Sequence, residues 1–181
     1  MERKEAYEFL KRHLQNKNLI KHSLALEACM RALAKRLNEN EGTWGILGLL
    51  HDIDYELVKD KEDQHTHLGS AILKEKGFDE DFLYSIRCHA EKEKPKSLRD
   101  WAIYSADPLT GLIVAATLMH PSKKISELTT EFILNRFKEK RFAAGANREI
   151  IKQCENLGLS LNEFIQICLN AMQGISEELE L

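Results

Sequence analysis

This sequence predicts an all-α fold, a helical bundle with a C-terminal helical extension, and three observations predict it. Only three prolines and nine glycines punctuate the 181 residues. Between them, apolar side chains recur at spacings of three and four, the period of one helix face. No segment shows the clear polar/apolar alternation of a half-buried strand. With 43% apolar residues the chain can bury one sizeable core. A single domain over 1–181 is expected, with a core at about 19–120 and a more polar helical elaboration at about 121–181, after Pro121.

Helices are expected at about 3–15, 19–37, 43–51, 66–76, 79–89, 96–106, 108–119, 127–138, 147–157 and 161–179. On the second, His22, Ala25, Leu26, Cys29 and Leu33 share one face, while Glu27, Arg31 and Lys35 share another. The third is the apolar run Trp44 to Leu50. The fourth, carrying Ala71, Ile72 and Leu73, ends at Gly77, because glycine accepts the left-handed conformation of a helix C-terminus. The fifth gives way to a charged loop, Glu91 to Lys96, closed by Pro95. Asp107-Pro108 separates the sixth from the seventh, since proline lacks the amide donor and crowds the carbonyl of Tyr104. Ser160 and Glu163 form a capping box that starts the last helix.

The 26 Lys and Arg against 29 Asp and Glu leave a net charge of −3, which gives no whole-protein attraction to nucleic acid. Cys29, Cys88, Cys154 and Cys168 are scattered, without a C-x-x-C pair, and are expected as buried thiols in a reducing compartment. The N-terminus lacks the apolar stretch of a secretory signal. The longest apolar runs, Trp44 to Leu50 and Leu112 to Met119, are too short to span a bilayer. A cytoplasmic protein without a membrane partner is expected.

The chemistry is carried by histidines and aspartates. His22 faces inward, as a ligand or as a hydrogen-bonded core residue. The run Trp44 to Leu50 delivers His51-Asp52-Ile53-Asp54 to a helix end. Adjacent helical residues diverge by about 100°, so His51 and Asp52 can share one ion only where the backbone re-aims them. Imidazole with carboxylate suits a transition metal; the alternative is an aspartate that caps the next turn. Further on stand His65 and His67, then His89, then Asp107 in Ala-Asp-Pro-Leu-Thr-Gly. Asp107 before Pro108 also fits an N-cap with proline at the first helical position.

The order His22, His51-Asp52, Asp107 resembles the H…HD…D pattern of the HD superfamily of metal-dependent phosphohydrolases, in particular bacterial stand-alone HD-domain hydrolases. His65, four residues before Gly69, and His89 after Ser-Ile-Arg-Cys are similar to the additional histidines of two-metal members. The resemblance covers about 19–120, and Lys140 to Arg148 also resembles a segment of such hydrolases. Where relatives often read Ala-Asp-Glu-Leu-Thr-Gly, Pro108 replaces the acid. The resemblance implies an HD-domain helical bundle in which His22, His51, Asp52 and Asp107 ligate one divalent ion. It also implies that Asp52 bridges to a second ion on His65 and His89.

Such ions lower the pKa of bound water and neutralise phosphoryl oxygens, so water can attack without a protein nucleophile. Iron or manganese suits the mixed N/O set best; zinc, magnesium, nickel and cobalt stay open. Asp52 and Asp54 are the catalytic candidates, with Asp54 either orienting a ligating imidazole or serving the turn. His67 is read as solvated or structural, and His13 and His120 as surface residues. Arg136, Lys138, Lys140, Arg141 and Arg148 make either a solvated basic face or, through Arg141 and Arg148, a phosphate-binding group. The expected partner is a small phosphorylated metabolite or nucleotide, with dinucleoside polyphosphates as the first to test and no long nucleic acid. A metal-binding signalling or adaptor domain without turnover is the alternative, and a purely structural bundle a third reading.

Overall fold

Short polar side chains start most of the helices. Asn16 accepts from the amide of Asn18, Asn40 from Thr43, Asp79 from Phe82, Thr129 from Phe132 and Ser160 from Glu163. Each satisfies an amide that has no partner inside its helix. Ser97 and Asp100 cap each other's backbone reciprocally. At Ser160 only half of the anticipated box forms, because the Glu163 carboxylate turns instead to Arg36, 2.8 Å away.

The computed structural model describes residues 1–181, the side chain of Glu62 excepted. The helices are α1 (Arg3–His13), α2 (Lys17–Leu37), α3 (Glu41–Leu50), α4 (His67–Glu75) and α5 (Glu80–His89). They continue as α6 (Leu98–Met119), α7 (Thr130–Lys138), α8 (Arg148–Lys152), α9 (Leu161–Gln173) and α10 (Ser176–Leu179). Among the described residues there is no strand, and the fold is all-α. Gly77 follows α4 at φ +84°, the left-handed conformation anticipated there.

α2 and α6 are the long struts. α2 packs on α3, α6 and α9; α6 packs on α5, α8 and the 3-10 turn Gln153–Leu157. Phe164, Ile165, Cys168, Leu169 and Met172 of α9 form a helical stripe buried in the same cluster as Leu26, Leu33 and Leu47. The C-terminal helices thus close the core that the earlier ones begin.

The structure corrects the expected break at Pro108: α6 runs through it. The proline removes one hydrogen bond, that to the Tyr104 carbonyl, while Ala102, Ile103, Ala106, Leu109, Leu112 and Ile113 bury the helix on both sides of it. Burial across two turns outweighs one missing bond. Read as one element, α6 is also long and apolar enough to cross a membrane by length and composition. Here it is packed as a core helix.

Glu27 corrects the polar face expected for α2. It is 3% exposed and is held by Arg3 at 3.1 Å and Arg31 at 2.8 Å. Arg31 itself lies over Gly45 of α3, where a Cβ would meet the guanidinium at 2.5 Å. All four cysteines are free and buried. Burial pushes the Cys88 thiol up to about 12 and that of Cys154 up to about 11, so both stay protonated at neutral pH.

Candidate metal centre

Gly48 sets the distance between the two helices that begin the site. A Cβ there would stand 2.7 Å from the Leu26 carbonyl oxygen, so α3 approaches the α2 backbone more closely than any other residue allows. The approach places His51, at the C-terminal end of α3, with its Nε2 3.1 Å from Nε2 of His22. The chain then turns, which re-aims Asp52 beside His51: Oδ2 lies 3.2 Å from His51 Nε2 and 3.8 Å from His22 Nε2. α6 brings Asp107, whose Oδ1 is 2.9 Å from His22 Nε2. Asp107 is therefore no N-cap, because α6 is continuous through it.

On the other side of Asp52, Oδ1 lies 3.3 Å from Nε2 of His65 and 3.2 Å from Nε2 of His89. Those two nitrogens are 3.3 Å apart. The Asp52 carboxylate thus divides the cluster, one oxygen to each histidine pair.

Every one of the four imidazoles has its Nδ1 tied to an acceptor. His51 Nδ1 donates to the Gly48 carbonyl at 2.8 Å and His89 Nδ1 to that of Ile86 at 2.6 Å. His65 Nδ1 donates to Asp54 Oδ1 at 2.9 Å. Thr110 gives its hydrogen to the Asp107 carbonyl at 2.8 Å, so at 3.1 Å it accepts from His22 Nδ1. With Nδ1 carrying a proton, each Nε2 is left to face the centre, where it offers a lone pair to an ion once any second proton has gone. Lone pairs facing one another at 3.1 and 3.3 Å repel unless a proton or a cation stands between them. Such a donor set, mixed N and O with second partners in place, fits divalent ions. Two groups, His22 with His51 and Asp107, and His51 with Asp52 and His89, already bring three ligand atoms each within 4.8 Å.

The electrostatics match. Burial opposes ionisation of Asp52, yet His51, His65 and His89 hold its carboxyl well below the usual range. Burial likewise works against Asp107, and His22 overcomes it. His22 and His65 are pushed the other way, both up to about 9: burial disfavours their charge, but Asp107 and Asp52 on the first, and Asp52 and Asp54 on the second, outweigh it.

Asp54 is fully buried and meets the cluster from behind, at Nδ1 of His65. It accepts from the amides of Thr66 at 2.8 Å and Gly69 at 2.7 Å, tying down the start of α4 while holding His65. Its contacts are therefore those of both places the sequence left open, one oxygen on the His65 imidazole and the other on the turn. Gly69 leaves the Asp54 carboxylate room, since a Cβ would press on it at 3.1 Å. Thr66, a β-branched residue at φ +69°, is held by the same carboxylate. His67 is exposed, outside the cluster.

Arg148 is corrected. Its guanidinium donates to the carbonyls of Ala143 at 2.7 Å, Ala146 at 2.6 Å, Phe137 at 3.2 Å and Glu139 at 3.3 Å, so its donors are spent on the end of α7 and the loop after it. Arg141 is exposed and lines neither cavity that borders the cluster. The sequence reading missed the cations that do: Lys59 and Lys92 in a cavity beside His65, and Lys21 in one beside His22. It also missed Thr110, although a spacing of three from Asp107 places both on one helix face.

The family model for the HD domain matches residues 19–112, a stretch that holds all six cluster residues. The chain belongs to the HD domain family. It is thereby a member of the metal-dependent phosphohydrolase superfamily, whose domains bind divalent metals. This HD domain is 28% identical over 167 residues to the ribonuclease Y of Desulfotalea psychrophila, covering 90% of the chain and 32% of that protein. It is 30% identical over 140 residues to the ribonuclease Y of Oleidesulfovibrio alaskensis (75% and 27%) and 29% over 170 residues to that of Thermotoga petrophila (90% and 33%). The chain spans about a third or less of the length of these curated relatives. No solved structure gives a significant match.

Proposed function

We propose that this HD domain hydrolyses a phosphoester or phosphoanhydride bond of a small nucleotide, with metal on His22, His51, Asp52, Asp107, His65 and His89. The observation that carries it is the Asp52 carboxylate, split between two pairs of imidazoles whose Nδ1 atoms are all fixed. When bound, divalent ions supply a nucleophilic water at neutral pH and neutralise phosphoryl oxygens. The chain's own residues do the rest. Thr110, Asp54 and the carbonyls of Gly48 and Ile86 orient the imidazoles. Lys59 and Lys92 share with His65 and the single carboxylate of Asp63 the wall of a cavity of about 490 Å³, and they offer positive charge to phosphoryl oxygens.

A second reading is favoured by the relatives, which bear the name ribonuclease Y: the nucleotide is part of an RNA. Two lysines in the cavity beside His65 and a net charge of −3 supply few phosphate contacts for a long strand, so this reading takes the form of a short RNA or its end.

Purified protein is analysed for metal, then screened for phosphate or nucleotide release from mononucleotides, dinucleoside polyphosphates and a labelled short RNA, with Mn, Fe, Zn, Mg, Ni and Co. Turnover that disappears in His51→Ala and Asp52→Ala, with helical content kept, is the expected result. Full activity in either variant sinks the assignment. Metal without turnover on any substrate would leave the binding-module reading instead.

A further inference from the structure

Besides the lysine-flanked cavity at His65, a second cavity of about 500 Å³ borders the cluster at its other end, where His22 and Thr110 form part of the wall. Its remaining walls are mostly aliphatic, from Ala25, Val114, Leu118 and Leu179, with Lys21 at its edge. That size falls in the range of small-ligand sites. Leu118 is 54% exposed, an apolar side chain left facing outward at this wall.

Gly111 lies in the same wall, in the middle of α6. Glycine is unfavourable inside a helix, because it gives up more backbone freedom than alanine. At Gly45 and Gly48 a neighbouring group excludes a Cβ and at Gly69 one would crowd it; at Gly111 a Cβ would meet nothing within 4 Å. No contact in the fold accounts for the missing side chain. Gly111 is exposed, and the space in front of it is the open side of this cavity, one turn of α6 from Asp107.

We infer that this cavity seats the nucleobase of the substrate, and that Gly111 keeps it open. The inference rests on the nucleotide reading above and deepens it. A group held here is next to His22, so its attached phosphate lies at the cluster. The walls suit the faces of a base rather than a phosphate, since Lys21, the cation present, is already paired with Glu180 at 2.7 Å. The two cavities then divide the substrate: base at the His22 end, further phosphate at the lysines beside His65. With no Phe, Tyr or Trp among its walls the cavity is a slot for one base, not a platform for a run of stacked bases.

The test uses phosphate-free probes, so that it stands apart from catalysis. Adenosine, guanosine, cytidine and uridine are titrated into wild type, Gly111→Leu, Leu118→Glu and His51→Ala, and binding is followed by calorimetry or NMR. At least one nucleoside binds wild type and His51→Ala alike, and binds Gly111→Leu and Leu118→Glu on the order of tenfold or more weakly. Leu118 is exposed, so its variant reports even if Gly111→Leu misfolds. Gly111→Ala is expected to melt at or above the wild-type temperature while weakening binding. Nucleotide turnover without nucleoside binding, or binding unchanged in both cavity variants, overturns the subsite. Nucleoside binding without turnover spares it and counts against the hydrolase reading instead.

Discussion

Four histidines in this protein keep their Nδ1 atoms occupied and leave Nε2 to the centre, which makes the protonation of those nitrogens the first measurable consequence. In the metal-free chain His22 and His65 hold protons up to about pH 9, above the ordinary histidine value. A raised folded-state pKa means the carboxylate partners lend stability that is complete below the unfolded value near 6.5 and lost as pH climbs through 9. Metal-free protein should therefore show a urea midpoint that falls between pH 6.5 and 9. A divalent ion must displace the same protons, so Mn binding at pH 7 should release about two per chain, read by calorimetry in buffers of different ionisation heat. A flat midpoint across that window, with no proton release, would mean the imidazoles are neutral. His51 and Asp52 were legible as a pair because an apolar run delivers them to a helix end. Thr110 was less so: its task depends on His22, 88 positions away, and only folding brings them together.

Helix α3 shows how an element serves the site. Its glycines look like poor helix residues in isolation, and their reason becomes visible only against α2, where Gly48 lets the backbones touch. Gly48→Ala puts a methyl group 2.7 Å from the Leu26 carbonyl. The helices must separate or shift, at a cost of about 1–3 kcal/mol for overpacking. We expect a lower urea midpoint with an unchanged slope, together with weaker metal binding, because His51 rides on α3 and His22 on α2. Unchanged stability would show that the approach is not tight. Helix α6 is the converse: Pro108 predicts a break from local rules, and packing on both sides of it prevails. That same continuity decides Asp107 as a member of the cluster, which the sequence had to leave between a cap and a ligand. Arg148 was left between a solvated face and a phosphate-binding group for a related reason, since most of the carbonyls that take up its guanidinium belong to a loop with no regular pattern.

Across the whole molecule, the cluster joins α2, α3, α5, α6 and the turn before α4, segments spread from His22 to Asp107. The all-α class was legible from spacing alone, whereas the union of α7 to α10 with the same core was not, because the period of a helix face does not name its partner. An ion held by residues so far apart in the chain binds the folded state and has no equivalent site in the unfolded one. Metal at a hundred times its dissociation constant then adds about 2.7 kcal/mol to the unfolding free energy. For a domain of this size that is a rise of about 5–10 °C in melting temperature. Chelator-treated protein should melt lower by that amount with its helical circular dichroism unchanged at 25 °C, and Mn should restore the difference. Asp52→Ala should show a much smaller shift, since it removes the carboxylate shared by both halves of the cluster. Equal shifts in wild type and Asp52→Ala would place the stabilising ion somewhere other than this centre.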